Sequence, residues 1–147
     1  MKVLAFDPGE KAIGYAVVER FSNMVKTLNV VETGKFDITG ANDRCQKEIN
    51  KLLTLYAPDY VAFEKSGAFL DSVYRKILEE SCSKFLIPAM GCTVSDVREF
   101  LYDDKNMSKV QTNHIIRENI LIFNKNISND ELDAISVGFY ALRIKLV

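Results

Sequence analysis

Four acidic residues stand where apolar segments begin or end, and their types and positions are suited to chemistry. Asp7 closes the strand-like run 3–6, and Glu64 closes a second such run at 60–63. Asp130 and Asp133 open the last predicted helix three residues apart, so they share a helix face. A carboxylate rarely tolerates apolar surroundings unless it is paired, hydrogen-bonded or bound to a metal. No matching set of buried bases is evident, so the pattern predicts a divalent-cation site and chemistry on phosphate groups.

Each acid also has a structural interpretation that the sequence leaves open. Asp7 suits a turn ahead of the Pro-Gly pair that follows it, and Glu64 suits a strand end that faces water or pairs with the next lysine. Asp130 lies inside segment 128–131, which fits a capping box at a helix start. Asp133 is the hardest to explain in this way, because the residues around it are apolar over most of the helix circumference.

The composition predicts one domain over residues 1–147. Hydrophobic residues make up 48% of the chain and charged residues 27%, as in ordinary soluble globular proteins. The net charge of −1 does not by itself indicate a protein that binds nucleic acid. It does not exclude one, because divalent cations would neutralise a four-acid site and a basic face can coexist with an acidic total.

Targeting signals and metal-binding cysteine patterns are absent from the sequence. The first apolar run is only four residues long, and no run approaches the roughly 18 residues of a membrane span. Cys45, Cys82 and Cys92 form no CxxC pair and are expected to be reduced and mostly buried. The only histidine, His114, argues against zinc. The reduced cysteines indicate a cytosolic protein without membrane association, and the small size suits the cytoplasm of a bacterial cell or a phage-infected host.

The apolar periodicity predicts an α/β fold in which helices cover a mixed sheet. Three early strands with short links indicate an antiparallel meander, and the later strands alternate with helical segments. If the first strand and strand 59–64 are neighbours, their terminal acids face one crevice. The predicted strands are 2–7, 12–19, 25–36, 59–64 and 86–93. The predicted helices run from Cys45 to just before Pro58, over 69–84, over 95–102 with Ser95 as cap, over 108–122 and over 129–145.

Four segments together resemble the RuvC-type Holliday-junction resolvases of the ribonuclease-H-like superfamily. Segment 6–17 is similar to that family's DPGxxxxGY motif, and segment 58–64 is similar to its second motif, in which an acid ends the fourth strand. Val97-Arg98 and the segment 109–111 resemble its late basic region, and segment 130–135 matches its closing DxxDA motif. The resemblance implies a five-stranded mixed sheet, three antiparallel strands then two parallel ones, flanked by helices.

The resemblance also implies a mechanism and a substrate. Asp7, Glu64, Asp130 and Asp133 would bind two Mg²⁺ or Mn²⁺ ions. A homodimer would nick opposed strands of a four-way DNA junction, leaving 5′-phosphate and 3′-hydroxyl ends. Lys109 would join the acids as a catalytic group near the scissile phosphate.

Further residues would contact DNA in this interpretation. Phe69 would stack on bases at the junction as an aromatic wedge, unless it is a core residue of a helix start. The positively charged candidates are ordinary solvated charges in the alternative interpretation. These candidate phosphate contacts are Lys11, Lys65, Arg98, Lys105, Lys109 and Arg117.

Three other functions stay open at this point. The nearest is a nuclease of the same superfamily that acts on structured RNA, such as the YqgF type. A sugar-kinase or actin-like phosphate binder also begins with an Asp-Gly hairpin, but it needs two such domains around a nucleotide. A non-catalytic junction-binding module is the third, and four intact acids argue against it. The sequence specifies no helicase partner.

Overall fold

Five strands and five helices make up the computed structural model, which describes residues 1–9, 11–20, 29–38, 42–65, 68–120 and 126–144, without the side chains at 42 and 68–72. In chain order the elements are β1 (Lys2–Pro8), β2 (Ala12–Glu19), β3 (Asn29–Asp37), α1 (Asn42–Tyr56), β4 (Tyr60–Glu64), α2 (Ala68–Lys84), β5 (Ala89–Cys92), α3 (Val94–Tyr102), α4 (Lys109–Asn119) and α5 (Asn129–Ala141).

The strands form one mixed sheet in the order β3-β2-β1-β4-β5. β1 pairs antiparallel with β2, and β2 pairs antiparallel with β3. β4 pairs parallel with β1, and β5 pairs parallel with β4. The predicted α/β class is confirmed, with three antiparallel strands followed by two parallel ones and helices on the flanks.

The two faces of the sheet carry side chains of different size. Alternate residues of a strand point to opposite faces, so Leu4 and Phe6 of β1 pack against α1 and α2. Val3 and Ala5 face the other way, toward α5, together with Ala16 of β2. These smaller side chains let α5 lie close to the sheet, in contact with both β1 and β2. On the face with small side chains, α5 can therefore lie close to the ends of β1 and β2.

Hydroxyl caps fix the starts of the last three helices. Ser108 begins α4 and Ser128 begins α5, each in a complete capping box. Thr93 begins α3 by accepting a hydrogen bond from the Asp96 backbone amide at 3.1 Å, so the prediction of Ser95 as the cap was wrong. Both hydroxyls are suitable helix caps. Because β5 ends at Cys92 and α3 begins at Val94, Thr93 is the residue in the cap position.

Several predicted elements were too long. Leu86 adopts a left-handed conformation with φ of 57°, and its backbone amide bonds the Ser83 carbonyl, so the end of α2 takes up residues assigned to the next strand. β5 therefore covers only Ala89–Cys92. The last helix ends at Ala141, where Leu142 caps it, instead of continuing to 145. Residues 25–28 and 121–122 of the predicted elements lie outside the described ranges.

The three cysteines are buried free thiols, as predicted. Burial raises the pKa of Cys45 and of Cys82 to about 11 and that of Cys92 to about 12. Of the helices that the structure describes, none has the length and apolar character needed to cross a membrane.

Candidate active site

The alternation of β1 and β4 places Asp7 and Glu64 on the sheet face that α5 covers. Asp7 follows Ala5 by two residues, and Glu64 follows Ala62 by two residues, so each acid shares the orientation of a small core residue. Phe6 and Phe63 are directly paired in the parallel register, so the next residues of both strands lie at the same sheet edge. The two carboxyl groups are neighbours, since each of them alters the pKa of the other.

Helix α5 brings Asp130 and Asp133 to the same place from the end of the chain. Gly14 of β2, which pairs with Asp7, makes this approach possible. A β-carbon added to Gly14 would lie 2.9 Å from the Asp130 β-carbon and would also clash with the Asp130 carbonyl group. The glycine of the first motif therefore has a packing role, since it lets the first turn of α5 lie against the sheet.

All four acids line one cavity of about 280 Å³, together with Lys109 and Arg98. The Lys109 ammonium is 2.8 Å from an Asp133 carboxylate oxygen, and it reaches the cavity from the first residue of α4. The remaining lining residues come from the β1 turn, α3, α4 and α5: Pro8, Gly9, Val94, Val97, Tyr102, Thr112 and Ser136. Three separate segments thus bring their acids together, as the sequence predicts.

Burial and mutual repulsion oppose ionisation of Asp7, Glu64 and Asp133. The pKa of Asp7 is raised to about 9, first by burial and then by the charges of Glu64 and Asp133, while Lys109 opposes the shift. Burial is also the main cause of the raised pKa of Glu64 and of Asp133. The pKa of Lys109 is raised in turn, chiefly by its hydrogen bond to Asp133. The cavity therefore holds four carboxyl groups against two positive side chains, Lys109 and Arg98.

The chemistry of these donors fits a hard divalent cation. Mg²⁺ and Mn²⁺ prefer carboxylate oxygens, and Mg²⁺ keeps several waters, so a few acids suffice. A cation would also relieve the repulsion that raises the pKa of Asp7. Within the described ranges, no three Asp, Glu, His or Cys side chains are arranged to hold an ion as they stand. In this arrangement the Lys109 ammonium occupies one carboxylate oxygen of Asp133.

Of the predicted phosphate contacts, Arg98 and Lys109 line the cavity, whereas Lys11, Lys65, Lys105 and Arg117 are not among its described lining residues. Lys11 follows β1 as an exposed residue, and Lys65 is exposed directly after Glu64. Lys105 is exposed in the loop between α3 and α4. Arg117 of α4 donates a hydrogen bond to the Ile127 carbonyl at 2.8 Å, and it lines a second cavity of about 400 Å³ that Lys109 also borders. The Phe69 side chain lies outside the described residues, so its predicted wedge role stays a prediction.

Sequence reasoning missed the polar side chains on the helix side of the cavity. Tyr102 of α3 and Ser136 of α5 lie in hydrogen-bond contact at 3.3 Å, both buried. Thr112 of α4 completes this wall. A weak signal existed, because Ser136 lies three residues after Asp133 and so shares its helix face. Nothing in the sequence indicated how α3 and α4 would pack against that face.

Comparisons with known proteins agree with this geometry. A family model described as crossover junction endodeoxyribonuclease RuvC matches residues 3–140. The Thermus thermophilus RuvC structure is similar at a TM-score of 0.85 and 14% identity, covering 97% of this chain and 94% of that chain. T. thermophilus RuvC in complex with Holliday junction substrate gives a TM-score of 0.82 and 14% identity, covering 95% and 92%.

A viral structure is also similar. Fowlpox virus resolvase in complex with substrate Holliday junction DNA gives a TM-score of 0.69 and 17% identity, covering 95% of this chain and 97% of that chain. A search of curated protein sequences finds no match. At these identities the structural likeness shows the fold, whereas the family model covers nearly the whole chain. The chain therefore belongs to the RuvC family of crossover junction endodeoxyribonucleases.

Proposed function

We propose that this chain is a structure-selective DNA endonuclease that resolves four-way junctions, built as a single ribonuclease-H-like domain over residues 1–147. One observation carries the proposal: Asp7, Glu64, Asp130 and Asp133 come from three separate elements to one cavity that also holds Lys109. Membership of the RuvC family supports nuclease chemistry at this cavity. The match over 3–140 also weighs against a sugar-kinase or actin-like function.

Asp7, Glu64, Asp130 and Asp133 would hold the divalent cations, two Mg²⁺ or Mn²⁺ ions per site. When bound, such ions activate a water for in-line attack on a phosphodiester and stabilise the departing oxygen. This chemistry needs no covalent bond between enzyme and DNA. The four carboxylates contribute position and negative charge, and the β1–β4 register and the first turn of α5 fix their arrangement.

Lys109 and Arg98 supply the positive charge on the same cavity. The Lys109 ammonium, already directed at Asp133, is placed to stabilise charge that develops on the scissile phosphate. Arg98 of α3 lines the cavity, and its charge opposes the rise in the pKa of both Glu64 and Asp133, so it acts within the site. A guanidinium there is suited to hold a backbone phosphate in a fixed orientation.

The proposed substrate is branched DNA, bound by a homodimer. The similar T. thermophilus and fowlpox virus structures contain Holliday junction DNA, which supports this choice. A two-fold enzyme presents two equivalent cavities to the two opposed strands of a junction. Paired nicks would then follow from one cut per subunit. The phosphate contacts would add Lys11, Lys65, Lys105 and Arg117 to the cavity residues, with Phe69 as the wedge. Because acidic residues are interspersed with these, we expect modest affinity with a marked dependence on salt.

A nuclease assay on a matched panel of substrates tests the proposal. The panel contains a four-way junction, a replication fork, a flap, a linear duplex and a structured RNA, each with Mg²⁺, with Mn²⁺ and with EDTA. We expect symmetric nicks in the junction strands with divalent ions, ends that a ligase reseals directly, and no cleavage in EDTA. Preferential cutting of structured RNA, or equal cutting of linear duplex, would contradict the proposal.

A further inference from the structure

Glu131 is a second nearly buried carboxylate beside the cavity, and it lies on α5 between Asp130 and Asp133. Its side chain is 5% exposed, and it does not line the cavity. One carboxylate oxygen accepts a hydrogen bond from the Ser128 backbone amide at 2.8 Å. The other accepts a hydrogen bond from the Thr33 hydroxyl at 3.0 Å. The carboxylate thus bridges the start of α5 and strand β3.

These two bonds have different mechanical consequences. Ser128 precedes α5 directly, so the capping box moves with the helix and cannot fix its orientation on the sheet. Thr33 belongs to β3, lies 98 positions away in the chain and is itself 4% exposed. The bond between Thr33 and Glu131 therefore ties the first turn of α5 to the sheet.

Helix geometry sets what this tie controls. Successive helical residues are rotated by roughly 100°, so Glu131 lies about 100° from Asp130 and about 200° from Asp133. Fixing Glu131 to β3 on one side of the helix directs Asp133 to nearly the opposite side, toward Glu64 and Lys109. The close approach of Asp130 to Gly14 sets the height of the same turn above the sheet. Rotation and height of the first turn are thus fixed by different contacts.

We propose that Glu131 and Thr33 form a positioning pair that sets the rotation of the first turn of α5, and through it the cation affinity of Asp130 and Asp133. The inference rests on the proposed function, because it concerns the cation site of that nuclease. Neither residue touches the cavity, so neither is catalytic. Groups that orient metal ligands in this way commonly change affinity or activity when they are lost.

Five variants, one of them double, and one control test the pair through Mg²⁺ binding, measured by calorimetric titration as the Mg²⁺ concentration that half-saturates the folded protein. We expect Glu131→Ala and Thr33→Val each to raise that concentration about tenfold. The double variant should bind Mg²⁺ about as weakly as Glu131→Ala, because each single change already removes the bond between Thr33 and Glu131. Junction cleavage at saturating Mg²⁺ is the second readout.

Conservative variants separate positioning from charge and from folding. Glu131→Gln keeps an oxygen for the Ser128 amide and gains an amide that can donate to the Thr33 oxygen, so it should stay within about twofold of wild type. Thr33→Ser keeps the hydroxyl and should do the same. Ser128→Ala removes the cap from the Glu131 amide and leaves the tie to β3 intact. It should lower the unfolding temperature without changing the half-saturating Mg²⁺ concentration.

The possible outcomes are distinct. Wild-type Mg²⁺ affinity in both Glu131→Ala and Thr33→Val would overturn the inference, as would a loss in Glu131→Gln as large as in Glu131→Ala. If these variants do not fold, Thr33→Ser and Ser128→Ala test the inference instead. The inference requires Thr33→Ser to bind Mg²⁺ with wild-type affinity. It requires Ser128→Ala to lose stability without losing Mg²⁺ affinity. If the wild-type chain binds Mg²⁺ but cuts no junction, the proposed function is wrong, and the Mg²⁺ titration alone then tests the positioning pair. A wild-type chain that binds no Mg²⁺ overturns the inference itself.

Discussion

Two buried carboxylates on neighbouring elements, Asp7 and Glu131, differ in almost everything except burial. They are 7% and 5% exposed. Glu131 accepts hydrogen bonds from a backbone amide and from a hydroxyl. Asp7 is surrounded by Glu64, Asp133 and Asp130, and its pKa is raised to about 9 by burial and by those charges.

The difference teaches that burial alone does not mark an acid for chemistry. A buried carboxylate that has donors around it holds the structure together, because its charge is compensated. A buried carboxylate that has more acids around it is unfavourable until a cation arrives. In the first turn of α5, Glu131 of the first kind lies between Asp130 and Asp133, two acids of the cavity. Substitutions in the two environments should therefore differ in their effects on cleavage and on stability.

The largest expected effect is on cleavage when a cavity acid becomes neutral. Glu64→Gln and Asp7→Asn should each lower the junction-nicking rate by roughly a thousandfold or more, because transition-state stabilisation by the cations is lost. Folding and junction binding should persist. Single-turnover nicking in Mg²⁺ and binding in EDTA measure the two properties. Glu80→Gln, on the exposed surface of α2, is the matched control. Cutting at the wild-type rate by either variant would remove the acid from the site.

A smaller effect is expected when the lysine of the cavity becomes neutral. Lys109→Gln should slow nicking by about 10- to 100-fold, because a positive charge near the phosphate is lost. It should not weaken Mg²⁺ binding, because the cation no longer competes with an ammonium for Asp133. Lys47→Gln, exposed on α1, provides the control. Nicking kinetics and a Mg²⁺ titration by calorimetry check both parts, and weaker Mg²⁺ binding in Lys109→Gln would contradict the second.

The smallest expected effect is on stability, and it depends on pH. The pKa of Asp7 is about 9 in the folded chain against an ordinary value of 3.8, so the folded chain holds the extra proton between these values. The contribution of Asp7 to stability is therefore fully present below pH 3.8 and is lost as pH rises toward 9. In metal-free buffer the stability of Asp7→Asn relative to wild type should rise between pH 5 and pH 8 by up to about 4 kcal/mol, at about 1.4 kcal/mol for each pH unit.

Urea unfolding at the two pH values, in EDTA, measures this difference. A stability difference that stays constant between pH 5 and pH 8 would show that Asp7 does not carry the raised pKa. Saturating Mg²⁺ should reverse the order of the two proteins, because only wild type then gains the energy of a complete site.

Much of this site was predictable because strand alternation and helix periodicity are local properties. The apolar runs before Asp7 and Glu64 predicted strands, and the parallel pairing of β1 with β4 then brought their ends together. The spacing of Asp130 and Asp133 predicted a shared helix face. Each of these predictions needed only the chain near the residue and one assumption about neighbouring strands.

The other features of the site depend on contacts between distant parts of the chain, which no local sequence pattern encodes. The bond between Thr33 and Glu131 joins residues 98 positions apart, and Thr33 alone looks like an ordinary strand residue. Tyr102 and Thr112 reach the cavity only because of the way α3 and α4 pack on α5. Element ends were also hard to predict, since a left-handed leucine at position 86 ends α2 where glycine would have been the usual signal.

The packing of α5 on β1 and β2 joins the last helix described here to the first two strands. During synthesis on a ribosome, Asp7 and Glu64 emerge before Asp130 and Asp133. A nascent or prematurely terminated product that stops before α5 holds half of the acids and lacks the helix that buries them. Such a fragment cannot assemble the four-acid cavity, so we expect it to have no nuclease activity.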